Sequence, residues 1–372
     1  MRRMPRVRKE KADFVYRYLR QFIEQNKFSA SDKLPSEIFL CGRLSVCRHT
    51  VREATGRLAS EGFIVSKRGS GSCFIREKAI EDPYIEDTSR LQIALLIQGQ
   101  DREASEGFVQ SIRRTLKPYN VELRVFFTDN KIANERSCLE ACMQGFNGLI
   151  VDGVKASFMS PNLDCYARLY AQSIPFAFYN NYYSGTKYPR ITIDDEGCAD
   201  LLVKELADKG HTRIAGIFLC DNYQGCKKYQ GFAKALLKYH AAFDDKYIKW
   251  MISDDLEDHE QIKRLISRFL RSIPDCTAIA CCNIMFYETL LEVMNEMHKS
   301  VPRDYSVVCF DYSKSDWETA PVTCSVHPRD EIGKVSAQLL MNMILDSHYK
   351  NKEYSYIFPP RIHYGSSVRT LI

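Results

Sequence analysis

The chain has 372 residues, of which 45% are apolar, 27% charged and 12% aromatic; that length suits two or three domains, and that composition excludes disorder, collagen and coiled coil as the main architecture. Its 52 Lys and Arg against 47 Asp and Glu leave a formal +5. The charge is unevenly spread: residues 1–80 hold 18 basic and eight acidic side chains, a net +10, whereas the other 292 residues hold 34 basic and 39 acidic ones, a net −5, so the positive head points to a polyanionic partner.

Ala12, Val15, Leu19, Phe22 and Ile23 recur at steps of three and four and predict an amphipathic helix over 10–26. The stretch Asp32 to Ser36 interrupts it, and Ser36 followed by Glu37 starts a second short helix ending near Leu44. A third helix is expected from Cys47 to Glu61, with Val51, Ala54 and Leu58 on one face, Arg48, His49 and Arg52 on another, and Gly62 as its stop. Two β-prone runs, 63–66 and 73–75, flank Lys67-Arg68-Gly69-Ser70-Gly71 and read as a hairpin with a basic, glycine-bearing tip. Three helices and a hairpin make a winged helix-turn-helix. Its third helix suits the major groove of B-DNA, where an arginine fork grips guanine O6 and N7, and the glycines let the wing approach the backbone. The head is expected over 1–78, and the acidic, Pro83-bearing stretch 79–90 reads as a linker.

From residue 91 to 372, apolar strand-like runs (93–97, 123–127, 149–151, 176–179, 214–219, 278–281 and 307–310) alternate with helical patterns such as 108–116, 201–206, 232–239 and 290–297. This is the pattern of parallel α/β sheets, and its length favours two lobes around a cleft. Ligands of such folds bind beyond the carboxyl ends of the strands. The residues there are polar: Asp152 and Lys155, Asn180, Asn181, Tyr182 and Tyr183, Asp194 and Asp195, Asn283, and Asp311. Amides and carboxylates bracket adjacent hydroxyls while an aromatic face covers a sugar's C–H side, so a small polyhydroxylated ligand fits. Each of these residues taken alone also suits a turn.

The head contains Leu34-Pro35-Ser36-Glu37, Ser45-Val46-Cys47-Arg48-His49-Thr50-Val51-Arg52-Glu53-Ala54, Leu58-Ala59-Ser60-Glu61-Gly62 and Gly69-Ser70-Gly71-Ser72, in that order. It resembles the DNA-binding domain of GntR-family transcription regulators. The resemblance places Glu37, Arg48, Arg52 and the wing residue Arg68 at operator contacts, with Ser36, His49, Thr50, Gly69 and Gly71 completing the DNA-binding set. This chain departs from the family at Ile38, where a polar or basic residue is usual, at Cys47, where serine usually caps the recognition helix, and at Cys73. Ile38 removes one DNA contact and Cys47 weakens the cap.

The body, with Gly148 to Val151, Gly210-His211-Thr212-Arg213-Ile214-Ala215-Gly216, the stretch from Gln224 to Phe232 and His327 to Gly333, resembles the LacI-type, periplasmic-binding-protein-like effector domain. Asn181-Tyr182-Tyr183 and Ile193-Asp194-Asp195-Glu196 narrow the likeness to the arabinose-repressor group, which joins a GntR head to such a body. The resemblance implies that Asp194, Lys228 and Asn283 point into the effector cleft, with Asn180 and Tyr182 nearby and Asp311 at the lobe crossover. Ile284 replaces the Asp usual after Asn283, and Gly153-Val154 replaces Pro-Thr before Lys155, so a remodelled pocket for another pentose, a glycoside or a modified sugar also fits.

Other classes lack their motifs. The sequence has no Walker A, His-Glu-x-x-His or catalytic Gly-x-Ser-x-Gly pattern, and the histidines at 211, 240 and 327 read as loop or surface residues. Its 14 cysteines include no Cys-x-x-Cys pair, so they read as reduced thiols without a metal, and no cofactor is expected. No apolar stretch reaches the roughly 18 residues of a membrane helix, and no apolar signal segment follows the charged N-terminus. The expectation is a cytoplasmic, homodimeric transcriptional repressor of sugar-utilisation genes, bound to double-stranded operator DNA and released by arabinose or a related sugar. An activator of the same fold, or one answering to a non-sugar effector, is the alternative.

Overall fold

A computed structural model describes residues 6–25, 34–44, 46–66, 73–75, 90–99, 102–312, 318, 320–346 and 348–371. The wing tip with Arg68, Gly69 and Gly71 lies outside these residues, as does the linker apart from Arg90.

The head begins with α1 (Arg6–Gln25), α2 (Glu37–Leu44) and α3 (Arg48–Ser60), and β1 (Ile64–Ser66) pairs antiparallel with β2 (Cys73–Ile75). The spacing expected from the sequence is what packs it. Ala12, Val15, Leu19 and Ile23 of α1 are buried together with Leu40 and Leu44 of α2 and Val51, Ala54 and Leu58 of α3. Each full-sized aliphatic side chain in this small core contributes roughly 1.5–3 kcal/mol. Polar ties flank it. The Tyr16 hydroxyl donates to Glu61, Arg57 pairs with Asp13, and the Arg57 guanidinium lies 4.4 Å from the centre of the Tyr16 ring. Ser36 caps α2, its hydroxyl accepting the Phe39 N–H at 3.2 Å. Cys47 at the N-cap of α3 makes no side-chain cap bond, as the cysteine implies, and its Sγ instead meets Thr50 Oγ1 at 3.2 Å.

The body is two lobes, each a six-stranded sheet covered by helices. Lobe 1 orders its strands β13 (Tyr356–Phe358), β7 (Arg190–Ile193), β6 (Phe176–Tyr179), β5 (Gly148–Val151), β3 (Leu91–Ile97) and β4 (Val121–Phe127), all parallel. Lobe 2 orders its strands β14 (Ile362–His363), β12 (Thr323–Val326), β11 (Ser306–Tyr312), β10 (Ala278–Cys281), β8 (Ile214–Leu219) and β9 (Ile248–Met251), with only β14 antiparallel. Every residue of β5, β8 and β10 is buried, which is why these strands read as unbroken apolar runs in the sequence.

Helices α4 (Arg102–Leu116), α5 (Ile132–Cys142) and α6 (Leu163–Ala171) belong to lobe 1, and α7 (Asp195–Asp208), α8 (Tyr223–Lys238), α9 (His259–Ser272) and α10 (Ile284–Glu296) to lobe 2. Helix α11 (Arg329–Leu345) follows β12 of lobe 2 but packs on α4, β5 and β6 of lobe 1. The chain therefore crosses between lobes three times: from β7 into α7, from β12 into α11, and from β13 through Pro359-Pro360-Arg361 into β14. All three crossings lie at one edge of the sheets, beside β7 and β13 in lobe 1 and β12 and β14 in lobe 2. Among the described residues, head meets body where Phe14 of α1 stacks on Tyr119 of lobe 1, with ring centroids 5.8 Å apart, and Tyr18 flanks the same ring.

Candidate functional site

Helix α3 presents the DNA-facing candidates. Arg48, His49 and Arg52 are exposed, while Val51, Ala54 and Leu58 of the same helix are buried. Arg52 is held in place by Glu37 across the helix-turn-helix, its Nε lying 3.0 and 3.1 Å from the two carboxylate oxygens; that pair raises the guanidinium pKa. A fixed guanidinium loses less freedom on binding than a mobile one. Thr50 differs from its neighbours. Thr50 turns inward, 4% exposed, because its position in the helical period falls beside Val51 and because its hydroxyl meets Cys47. Its side chain is thereby taken off the exposed face.

The strand ends of the two lobes face each other and bring the second set together. At the crossover, Lys228 of α8, 3% exposed, pairs with Asp311 at the end of β11 and donates to the Cys282 carbonyl at 3.2 Å. Asp195 lies beside this pair. Burial penalises all three charges, but not equally in effect. Lys228 holds the Asp311 carboxyl below the ordinary carboxylate range, the two carboxylates hold the Lys228 ammonium above that of a free lysine, and burial pushes Asp195 well up. Lys228 and Asp311 thus favour their charged forms, while burial favours the protonated form of Asp195. His327, after β12, donates through Nε2 to Asn180 Oδ1 at 3.2 Å, and burial pushes its pKa down to about 4 against the pull of Asp311. It and His211 lie in loops as expected; His327 is half-buried, and His211, 1% exposed, bridges Thr277 Oγ1 and the Arg369 carbonyl.

Three polar atoms along this seam are buried without a hydrogen-bond partner in the protein: Asp195 Oδ1, Gln224 Nε2 and His327 Nδ1. Gln224 and Lys228 stand one helical turn apart on the buried face of α8. An acid, an amide donor and an imidazole nitrogen left open in one place are what a small hydroxylated molecule satisfies.

The remaining residues divide by role. Asp152 is buried, receives the Asn181 amide at 3.0 Å, and is pushed up to about 7 by burial. Asn181 in turn accepts the Gln224 N–H of lobe 2 at 3.1 Å, so Asp152 acts at the pocket through Asn181. The Tyr182 and Tyr223 hydroxyls meet across the lobes at 2.8 Å with ring centroids 4.1 Å apart. Asp194 and Asn283 use one carboxylate or amide oxygen to cap α7 and α10, accepting from Gly197 N and Phe286 N at 2.9 Å each. Lys155 reaches Asp254 and Asp221 of lobe 2. Lys155, Asn180 and Asp311 all have left-handed backbones, with φ of 44°, 54° and 50°. Such strain in non-glycine residues costs on the order of 1 kcal/mol or more each and persists where surrounding structure fixes it. Gln224 and His327 were not among the residues selected from the sequence for effector contact, whereas Asp195 was picked out as a strand-end residue; the alternation of strands marks strand ends, but not which helix face turns into the cleft.

A winged helix-turn-helix on a two-lobed body of the type I periplasmic-binding-protein kind is the architecture these elements define. Residues 11–74 match the gntR family of bacterial regulatory proteins, and residues 203–368 match the periplasmic binding protein-like domain; the chain thus joins a GntR-type head to a periplasmic-binding-protein-like domain. It is 29% identical over 358 residues to the arabinose metabolism transcriptional repressor of Halalkalibacterium halodurans, covering 95% of each chain. It is also 29% identical over 344 residues to the protein of the same name from Geobacillus stearothermophilus, covering 90% of this chain and 93% of that one. Among solved structures, the transcription regulator CcpA of Lactococcus lactis superposes with a TM-score of 0.64 at 19% identity over 76% of this chain and all of the other. A LacI family regulator of Enterococcus faecium with bound ribose gives 0.62 at 21% identity, again over 76% of this chain and 100% of that one.

Proposed function

We propose that the chain is a cytoplasmic transcriptional repressor of sugar-utilisation genes that binds operator DNA through its head and releases it when a small sugar, arabinose or a relative, occupies the body. The observation that carries this reading is the pairing of an exposed Arg48, His49 and Arg52 face with a cleft whose buried polar atoms await hydroxyls. Relatives similar over nearly the whole chain carry the name of arabinose repressors, which supports the sugar and the sign of the response. Ser36, Glu37, Arg48, His49 and Arg52, with Arg68, Gly69 and Gly71 of the wing, form the DNA-binding set, and Asp152, Lys155, Asn180, Tyr182, Asp194, Lys228, Asn283 and Asp311 the effector set. A homodimer places two heads on a palindromic operator, and the protein acts by binding rather than catalysis.

Two measurements test it. Thermal-shift screening against pentoses, hexoses and their phosphates should give a shift with a neutral pentose; no shift with any sugar would reject the effector class. Fluorescence anisotropy on operator against random duplex should show Arg48→Ala losing roughly tenfold or more in discrimination, as removal of a bidentate guanine contact does. Undiminished discrimination would reject the role of Arg48.

A further inference from the structure

At the carboxyl ends of the strands, toward the sheet edges opposite the three crossings, four residues close a ring across the cleft. Asn130 follows β4 and Lys155 follows β5, both in lobe 1; Asp221 follows β8 and Ser253 follows β9, both in lobe 2. The Lys155 N–H donates to Asn130 Oδ1 at 3.1 Å, and Asn130 Nδ2 donates to Ser253 Oγ at 2.6 Å. The Ser253 hydroxyl donates to Asp221, whose carboxylate also takes the Ser253 N–H at 3.0 Å, and Lys155 Nζ lies 3.9 Å from the same carboxylate. Asn130 and Asp221 are each 1% exposed. Outside the ring, Asp254 pairs with Lys155 Nζ at 3.0 Å and Lys131 Nζ at 3.2 Å.

We propose that this ring is a latch holding the mouth of the cleft shut. Its place gives it leverage, since a contact toward the edge opposite the crossings is the first to part when the lobes rotate. Its chemistry makes it reversible. Apart, the amide, hydroxyl, carboxylate and ammonium are each solvated; together each finds a partner, so neither state strands a buried polar group.

Glu135 is the positioning residue of the lobe 1 half. It is fully buried on α5 and accepts from Tyr166 OH at 2.7 Å, Tyr183 OH at 2.9 Å, Asn162 Nδ2 at 2.7 Å and Val154 N at 3.3 Å. Tyr183 OH is also 3.0 Å from the Val154 carbonyl. These bonds fix the turn 153–157 and with it the left-handed Lys155. Ser157 of the same turn donates to the Cys220 carbonyl of lobe 2 at 2.7 Å. Gly153 completes the fit, because a Cβ there would meet the Asn181 carbonyl oxygen at 2.9 Å.

The latch rests on the two-lobed fold; its consequence, that an effector reaches the cleft only when the ring parts and is retained when it re-forms, rests on the effector reading above. The experiment therefore uses the full chain with no sugar. In hydrogen exchange followed by mass spectrometry, Lys155→Met in lobe 1 should make residues 252–257 of lobe 2 exchange roughly tenfold faster. Asn130→Ala should do the same and Lys155→Arg should restore the wild-type rate, with far-UV circular dichroism confirming that each variant is folded. Unchanged exchange at 252–257 in both Lys155→Met and Asn130→Ala, or acceleration confined to lobe 1, would overturn the latch. Since no sugar is present, that failure is distinct from failure of the effector reading.

Discussion

Replacing Lys228 by methionine removes the ammonium that Asp311 and Asp195 share while filling nearly the same volume. Lys228 is 3% exposed and the Asp311 side chain 15%, so solvent offers little compensation. Deleting one partner of such a buried pair costs about 3–5 kcal/mol, because the other charge is left without compensation. At roughly 2–4 °C per kcal/mol for a body of this size, the melting temperature should fall by about 10 °C. The pH dependence carries a sign. In the wild type, Asp311 is held below its ordinary value by Lys228, so its contribution is present at neutral pH and lost as pH falls through the acid range. In the variant the buried carboxyl loses its paired cation and its pKa rises. The deficit should then be largest near pH 8 and shrink toward pH 5, where Asp311 can take up a proton. Urea unfolding of both proteins at pH 5 and pH 8 measures this. A deficit below about 1 kcal/mol, the size of a surface pair, or one equal at the two pH values, would refute the charge assignment at the crossover.

Asp152 makes the opposite prediction. Burial pushes it up to about 7 in the folded chain against 3.8 for the free group, so the folded state holds a proton the unfolded chain has lost, and stability declines as pH rises between those values. Asp152→Asn should flatten that decline, and thermal melts of both proteins between pH 4 and 8 would show parallel curves if the assignment is wrong. At Gly231, where α7 and α8 pack, an added Cβ would meet Glu196 Cα at 2.6 Å and Ala199 Cβ at 2.8 Å. Gly231→Ala should therefore destabilise by about 1–3 kcal/mol through overpacking, in spite of alanine's better helix propensity, which is worth at most about 1 kcal/mol. Denaturant unfolding decides between the two, and a more stable variant would mean that the helices can part without cost.

The strands legible to the residue were those both uniformly buried and apolar throughout. The runs at 176–179, 214–219 and 278–281 coincide with β6, β8 and β10 because every side chain in them is enclosed. β12 was not legible, since its buried Thr323 and Ser325 break the apolar signal, and β9 was not, since Lys249 and Trp250 sit on an edge. Helix α5 was missed for a related reason: Glu135, a charged residue by composition, occupies an interior position that an apolar side chain would normally mark. In the site, strand ends located Asp152, Asn180, Lys155 and Asp311. Periodicity could not separate residues that cap helices, such as Asp194 and Asn283, from those that leave a polar atom open, such as Asp195 and Gln224. That distinction depends on side-chain direction after the chain turns, which a single sequence does not encode locally.

The crossing between β13 and β14 consists of Pro359, Pro360 and Arg361. Two successive prolines hold φ near −65° and leave few torsions to absorb rotation, and a Cβ placed on Gly197 at the start of α7 would stand 2.8 Å from Pro360 Cγ. With two further crossings beside it, this rigid segment works as the knuckle of a door: the lobes swing about one line and resist sliding or twisting. A bulkier or smaller guest then changes how far the door stands ajar while its path stays the same. Two glycines in place of those prolines would loosen the pin and let different guests drive the lobes along different arcs.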